Sequence, residues 1–364
     1  MYMCEKSKQI VDACRFCWMC RHICPVGNAT GQERNTSRAR ALALSLVNRE
    51  GVELTSDVMD NIYECQMCGA CTKECVTGWD PTFFTKDVRL NAALNGKTPD
   101  YINAIVDKIL DTGNAYGAKK VKAALDKAIK AHEKDEKVLL FLGSEARYNV
   151  PDAAVKAIEV LEKAGVKFTC LAKEPDSGAA LDWLIGAADE TKKMMKDCAD
   201  VIGKYKTIVA FDPADAKAFV REYKEYGVKL DGVVTFTAYV AGLIKDKKLK
   251  VKNTGKAVVF QDPYQLARDL EETEEPREIV SACAELNEML LNRKDTMWAG
   301  GWLMAIYNPL VSELVAKERW MNAIHVGADT IVTASPAEYA ALKKVAPSGK
   351  KVISIEELVL EATK

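Results

Sequence analysis

Eight of the chain's twelve cysteines stand in two runs that share one spacing. The first is Cys14, Cys17, Cys20 and Cys24, spaced C-x2-C-x2-C-x3-C with Pro25 directly behind; the second is Cys65, Cys68, Cys71 and Cys75, followed by Val76. Three cysteines at C-x2-C-x2-C can wrap one cube of iron and sulfide, with the fourth ligand coming from elsewhere. In two-cluster proteins with this run, the last cysteine of each motif serves the other cluster. The spacing therefore predicts two [4Fe-4S] clusters. One is held by Cys14, Cys17, Cys20 and Cys75, the other by Cys65, Cys68, Cys71 and Cys24. Pro25 fixes the backbone after its cysteine and turns the chain away. Zinc is the competing reading, but zinc favours two well-separated ligand pairs, and two complete four-cysteine runs fit that poorly. Arg15, Arg21 and His22 lie inside the first run, against Lys73 and Glu74 in the second. On that count the first cluster should have the higher potential.

The rest of the composition sets the context. With 364 residues, 48% apolar and 28% charged, the chain can bury a sizeable core without relying on metal. A net charge of −1 gives no electrostatic case for nucleic acid or an anionic membrane. Clustered cysteines in a chain of this length are not a secreted disulfide scaffold. The N-terminal residues show no secretory pattern. The longest near-apolar run, Val233 to Ile244, is about half a membrane span. The expectation is a cytoplasmic protein with no transmembrane segment, able to sit at a membrane only through a partner. Cys170, Cys198 and Cys283 fall in strand or helix patterns and read as small apolar packers.

Helical patterns must position the cysteines. Residues 1–98 form a helical unit, with a helix across Thr36 to Gly51 and another near Ser56 and Asp57 between the two runs. Residues 99–136 form a Lys-rich helical connector, with Val121, Ala124, Leu125 and Ile129 on one stripe covering the next domain. From Val138 short apolar runs alternate with helical patterns, as in an α/β domain. "KVLLFLG", "VKFTCLA" and "KTIVAFDP" read as strands, and Pro151 to Gly165 as a helix. The segment Thr207–Phe219 echoes Thr330–Leu342, with Pro213 and Pro336 in register, and "GVVTFTAYVAGLI" echoes "KVISIEELVLEA". That predicts a duplication, with α/β repeats at 137–250 and 251–364. The fold class expected is α+β and multidomain: a helical dicluster ferredoxin-like unit, then a duplicated α/β unit.

On these motifs the chain resembles the iron–sulfur subunits related to the D subunit of heterodisulfide reductase, which include those of anaerobic glycerol-3-phosphate dehydrogenase and of lactate and glycolate oxidase. The carrying residues are both cysteine runs, "SRAR" at Ser37–Arg40, "GNAYG" at Gly113–Gly117, and the C-terminal segments "FLGSEARYNVP", "EPDSG", "FDPADA", "QDPYQLARDL", "MWAGG" and "TASPAEY". The resemblance implies a C-terminal "CCG" domain whose cysteines hold catalytic clusters. Those cysteines are absent. Asp176-Ser177 and Met297-Trp298 replace the cysteine pairs, Asp212-x-x-Asp215 and Ser335-x-x-Glu338 replace C-P-x-C, and Gln261 to Tyr264 replaces H-D-P-C. Carboxylates, hydroxyls, Met and Trp cannot supply that thiolate set. The expectation is a retained fold with degenerate pockets filled by side chains, Gln261 and Trp298 among them.

Together these residues imply an oxygen-sensitive electron-transfer subunit, relaying single electrons between a flavoprotein partner and another carrier. Such a flavoprotein would be an FAD-linked dehydrogenase or an electron-transfer flavoprotein, and further iron–sulfur subunits are possible partners. The chain carries no nucleophile–base pair, Gly-rich nucleotide loop or flavin fingerprint. Two alternatives stand beside this: a disulfide or quinone reductase acting in the degenerate pocket, and an interaction protein whose clusters are structural.

Overall fold

The computed structural model describes residues 3–363. Its first hundred residues are helical: Glu5–Ala13, Pro25–Thr30, Ser37–Asn48, Ser56–Tyr63, Ala70–Glu74 and Pro81–Leu94, followed by Asp100–Thr112. Side chains close the open N–H groups at several starts. Thr36 accepts from Ala39 N–H at 3.3 Å, Thr55 from Val58 N–H at 3.4 Å, and Asp80 from Thr82 N–H at 3.0 Å. The cap between the runs is thus Thr55, one residue before the expected Ser56. The apolar faces meet in a core containing Val11, Leu44, Ile62, Tyr63, Phe84 and Val88. This core does not close on itself. Ala180, Leu181, Trp183, Leu184 and Ile185, from the distant helix Ala179–Ile185, complete it.

The segment 99–136 divides between its neighbours. Ile102, Ile105 and Ile109 of Asp100–Thr112 join the N-terminal core. Leu125 and Ile129 of Ala123–Ala131 join the core that follows, while Ala124 stays exposed.

Two parallel sheets make up the rest. In the first, β1 (Val138–Phe141), β2 (Thr207–Ala210) and β3 (Val233–Thr235) lie in that order. The second contains β4 (Ala257–Gln261), β5 (Glu285–Asn287), β6 (Thr330–Thr333) and β7 (Lys351–Ser354), ordered β5-β4-β6-β7. Their near-continuous apolar sequence matches strands covered on both faces. Val166–Ala172 forms no strand; it contributes one bridge, Leu139 to Thr169. There the chain is diverted. Thr169 Oγ1 and Cys170 N–H both donate to the carbonyl of His132, at 3.0 Å each. The two sheets share one large core, with Leu140, Val209, Phe260, Val332 and Ile353 among its members. Among the described residues, no helix is long and apolar enough to cross a membrane.

Candidate functional site: two cysteine loops and their surroundings

Each cysteine run leaves a helix, Glu5–Ala13 or Ser56–Tyr63, and both loops take the same shape. Two residues past the leading cysteine, Phe16 and Met67 have φ of 52° and 53°. Directly after the second cysteine, Trp18 and Gly69 are again left-handed, at 24° and 73°. Positive φ away from glycine is uncommon and persists only where the surroundings impose it. Here it aims an amide at the leading sulfur. Phe16 N–H donates to Cys14 Sγ and Met67 N–H to Cys65 Sγ, both at 3.4 Å.

The last cysteines exchange places. Cys24 joins Cys65, Cys68 and Cys71 around one small cavity of about 20 Å3, with Ser37 and Arg40 in its wall. Cys75 is instead an electrostatic neighbour of Cys14, together with Cys17. The two sets differ in exposure. Cys17 is exposed and Cys14 and Cys75 are half-buried, with only Cys20 buried in that set; Cys24, Cys65, Cys68 and Cys71 are all buried. Burial pushes the Cys68 thiol up to about 11 and Cys71 well above the usual range. Thiolates in such a place need compensating positive charge. Among the described residues, no three His, Cys, Asp or Glu side chains converge on the point a lone metal ion would occupy. Cys24, Cys65, Cys68 and Cys71 line one space instead.

That positive charge is present around the second run. Arg40, buried to 1% exposure, donates Nε to the Asn61 carbonyl at 2.8 Å. Arg89, also fully buried, donates to the carbonyls of Cys65 (2.6 Å), Ile62 (3.0 Å) and Trp183 (2.9 Å). Arg268 comes from the π-helical turn Gln265–Asp269 and donates Nε to the Cys68 carbonyl at 2.7 Å. Each of the three keeps one buried nitrogen with no partner: Arg40 Nη2, Arg89 Nε and Arg268 Nη2. Gln66 Oε1, beside Cys65, is unpartnered too. The unpaired arginine N–H donors near four thiols are what an anionic group would satisfy; Gln66 Oε1, an acceptor, is not. The donor set fits a thiolate-bound iron–sulfur cluster. Ser37 interacts with the thiols of both Cys20 and Cys71, favouring both thiolates.

Around the first run two arginines share one carboxylate, and Arg15 donates to the Asp12 carbonyl at 3.4 Å. Arg21 and Arg38 both pair with Glu33 at 2.6 Å, and both lie over the ring of Trp18, which is 55% exposed. Arg38 also holds the Phe16 carbonyl at 3.2 Å. The count of cations within each run leaves out charges from elsewhere in the chain, Arg40, Arg89 and Arg268 near the second run and Arg38 near the first.

The replaced C-terminal signatures occupy two buried places. In the first, Ser177 Oγ donates to Asp215 Oδ1 at 2.5 Å, and Asp212 caps its helix by accepting from Ala214 N–H at 2.9 Å. Asp176 accepts from Gly178 N–H at 2.8 Å. Glu174 and Glu145 lie close by. Glu174 accepts from the N–H groups of Leu142 and Gly143, and Glu145 from Tyr116 of the "GNAYG" segment at 2.5 Å. Burial lifts Asp176 to about 6, Asp212 to about 7 and Asp215 well above the carboxylate range. Asp215 Oδ2 has no partner. In the second, Gln261 donates to the Met297 carbonyl (2.9 Å) and to Glu338 (3.2 Å), and accepts from Arg319 Nε at 2.5 Å. Ser335 caps the helix carrying Glu338. Trp298 turns away from this network and packs in the apolar cluster that contains Cys24, Cys68 and Tyr264. Tyr264 in turn accepts from Gln66 of the second run at 3.2 Å.

Outside these sites, a cavity of about 410 Å3 opens where the helical unit meets both sheets. Met67, Gly69 and Thr82 line both it and the cavity of the second run. Trp183, Trp302, Tyr264 and Phe83 give it aromatic walls, and Lys217 and Glu222, paired at 2.6 Å, lie on its rim.

Cys170, Cys198 and Cys283 are buried in the apolar cores, and burial pushes all three thiols up, Cys283 to about 12. They are inert packers. Sequence reasoning did not find Arg40, Arg89, Arg268 or the contacts of Tyr264. Arg40 stood inside the quoted "SRAR", but nothing local marks an arginine as buried.

Comparison with known proteins agrees with this site. Residues 10–79 match the 4Fe-4S dicluster domain family. Curated relatives include the D subunit of the dihydromethanophenazine:CoB–CoM heterodisulfide reductase of Methanosarcina acetivorans, 24% identical over 96% of this chain and 92% of that one. The corresponding D subunit of Methanosarcina mazei is 23% identical over 90% of this chain and 87% of that one. An uncharacterized iron–sulfur protein of Methanococcus maripaludis is 21% identical over 91% of this chain and 67% of its own length. The chain is an iron–sulfur protein that resembles the heterodisulfide reductase D subunit along most of its length.

Proposed function

We propose that this relative of the heterodisulfide reductase D subunit is a one-electron relay subunit of a larger oxidoreductase. It would hold two [4Fe-4S] clusters, one on Cys14, Cys17, Cys20 and Cys75 and the other on Cys65, Cys68, Cys71 and Cys24. Such clusters accept and release single electrons when bound. The chain's own residues do the rest. The left-handed loops aim amide N–H groups at the leading sulfurs. Arg38, Arg89 and Arg268 fix the loop carbonyls, and the second set is shut away from solvent. The first set faces outward beside Trp18, where a flavoprotein partner could approach. The reading rests on one observation above the others: Cys24 lines the cavity of Cys65, Cys68 and Cys71, and Cys75 neighbours Cys14.

The C-terminal half is, on this proposal, a duplicated docking domain without catalytic clusters. β1, β2 and β3 correspond to β4, β6 and β7, and the Thr169 bridge to β5. A π-helical turn starts four residues after the end of both β1 and β4. The packing is reciprocal as well. Helix Pro151–Lys163 meets Ile355–Ala362, and Phe236–Lys245 meets Glu274–Cys283, as a two-fold swap of the halves requires. Buried carboxyl groups and the Gln261–Glu338–Arg319 network fill the places of the lost cysteines.

The test is anaerobic purification from the native source. The relay reading expects about eight iron atoms per chain, a co-purifying flavoprotein, and cluster reduction when that partner's substrate is added. Clusters that resist dithionite would overturn it. A second reading, reduction of a small organic acceptor, draws on the 410 Å3 cavity beside the second run. Oxidation of the reduced chain by a quinone or disulfide, with no partner present, would favour it.

A further inference from the structure

Four buried cysteines face two buried arginines, Arg40 and Arg89, and the half-buried Arg268; among the described residues none of the three has a carboxylate as its hydrogen-bonded partner. Arg40 lines the cavity itself, and its side chain donates to a carbonyl. Arg89 and Arg268 also spend their bonds on carbonyls, and all three leave one nitrogen unpaired. Of the nearby acids, Glu64 is bound to Arg34 at 3.0 Å and to Asn61 at 3.3 Å, and Asp269, beside Arg268, is bound to Arg221 at 3.4 Å. At the first set Arg21 and Arg38 share Glu33, Arg21 exposed and Arg38 half-buried.

The two environments pull potentials apart. A centre bound by four thiolates is anionic and gains one more negative charge on reduction. Exclusion of water alone would make the buried centre harder to reduce. Fixed, unneutralised cations act in the opposite sense, and they act more strongly where the dielectric is low. A cation paired with a carboxylate and bathed in solvent does little. Two buried guanidinium groups and a half-buried third, against the carboxylates of Glu64 and Asp269 that are already engaged elsewhere, decide the sign.

We propose that Arg40, supported by Arg89 and Arg268, holds the Cys65–Cys71 centre at the higher potential, so that an electron entering at the exposed Cys14 centre comes to rest on the buried one. This rests on the relay reading and gives it a direction. It reverses the order suggested by the charges inside the two runs. Arg40 is a positioning residue: it sets the field at the centre and touches no partner.

The experiment is an EPR-monitored potentiometric titration of the anaerobic full-length holoprotein. A water-soluble dysprosium complex, added in parallel, speeds relaxation of the exposed centre more than of the buried one and so assigns the two signals. In the unmodified protein, the signal that appears first on reduction should be the dysprosium-insensitive one. In Arg40→Gln, that signal's oxidised-to-reduced ratio at fixed potential should rise at least tenfold, equivalent to about 59 mV for one electron. The exposed centre should stay in place, and Arg40→Lys should restore most of the shift. First reduction of the dysprosium-sensitive centre in the unmodified protein overturns the proposal, whether or not Arg40→Gln assembles its iron. An Arg40→Gln shift that is absent, or equal at both centres, overturns the role of Arg40. Failure of the relay reading is a different result: neither signal appears under dithionite.

Discussion

Cys24 is the residue that decides the exchange of ligands. It sits in the first run yet lines the cavity of Cys65, Cys68 and Cys71. Cys24→Ser should therefore give the same altered EPR spectrum as Cys68→Ser, and a different one from Cys20→Ser. A match between Cys24→Ser and Cys20→Ser would show that each run closes on itself. The spacing of the cysteines made this legible in sequence, because C-x2-C-x2-C fixes local geometry. The carboxyl groups Asp176, Asp212 and Asp215 were legible only as substitutions; that they hold protons more tightly than free carboxylates follows from burial. Asp176 at about 6, Asp212 at about 7 and Asp215 higher still all bind protons more tightly in the folded chain than in the unfolded one. Their contribution to stability therefore falls as pH rises from about 4 through 7 and above. Asp215→Asn removes one such group while keeping an acceptor for Ser177. It should stabilise the protein by roughly 1–3 kcal/mol at pH 8 and by almost nothing near pH 4. Calorimetry at the two pH values checks it, and an equal gain at both would mean that packing, not protonation, is responsible.

Among the elements, the π-helical turn Gln265–Asp269 does the most for the cysteine loops. It brings Arg268 to the carbonyls of Cys68 and Thr296 and stands next to Tyr264, which accepts from Gln66. Replacing Arg268 with Met keeps the stem and deletes the clamp. The expected cost is on the order of 2 kcal/mol in denaturant unfolding, since hydrogen bonds from a charged donor are lost. The Cys65–Cys71 centre should also bleach faster in air while the exposed centre decays at its usual rate. Equal acceleration at both centres would count against a local clamp. Sequence patterns do not reveal such a turn, because an extra residue in a helical turn leaves the apolar period almost intact. They do reveal β1 and β2, and through the internal echoes the segments that become β6 and β7. They overstate Val166–Ala172, which has a strand's composition, because the pull of the His132 carbonyl on Thr169 and Cys170 is a tertiary effect that overrides propensity.

At the scale of the whole molecule, the boundary near residue 98 is a change of sequence grammar more than a line of physical separation. The second cysteine run is held largely by residues far beyond it. Trp183 Nε1 donates to the Gln66 carbonyl at 3.2 Å, Tyr307 to the Tyr63 carbonyl at 2.5 Å, and Tyr63 in turn to the Leu184 carbonyl at 2.9 Å. Helix Ala179–Ile185 also completes the helical core. The first run draws its support from nearer by, from Glu33, Ser37 and Arg38. A fragment of residues 1–117 would keep all eight ligands and every support of the first set, but lose Trp183, Tyr264, Arg268 and Tyr307. Reconstituted anaerobically with iron and sulfide, it should retain about four iron atoms and not about eight, and its one EPR signal should be dysprosium-sensitive. Its Leu44–Ile62–Phe84 core, left open on the side that Leu181 and Trp183 cover, should also make it aggregate more readily than the full chain. A stable fragment with both centres intact would mean that the helical unit is autonomous and that the C-terminal half only docks against it. The opposite outcome makes the C-terminal half a structural part of the electron path: the half that lost its own cluster cysteines would be kept because it shields and charges the second centre of its neighbour.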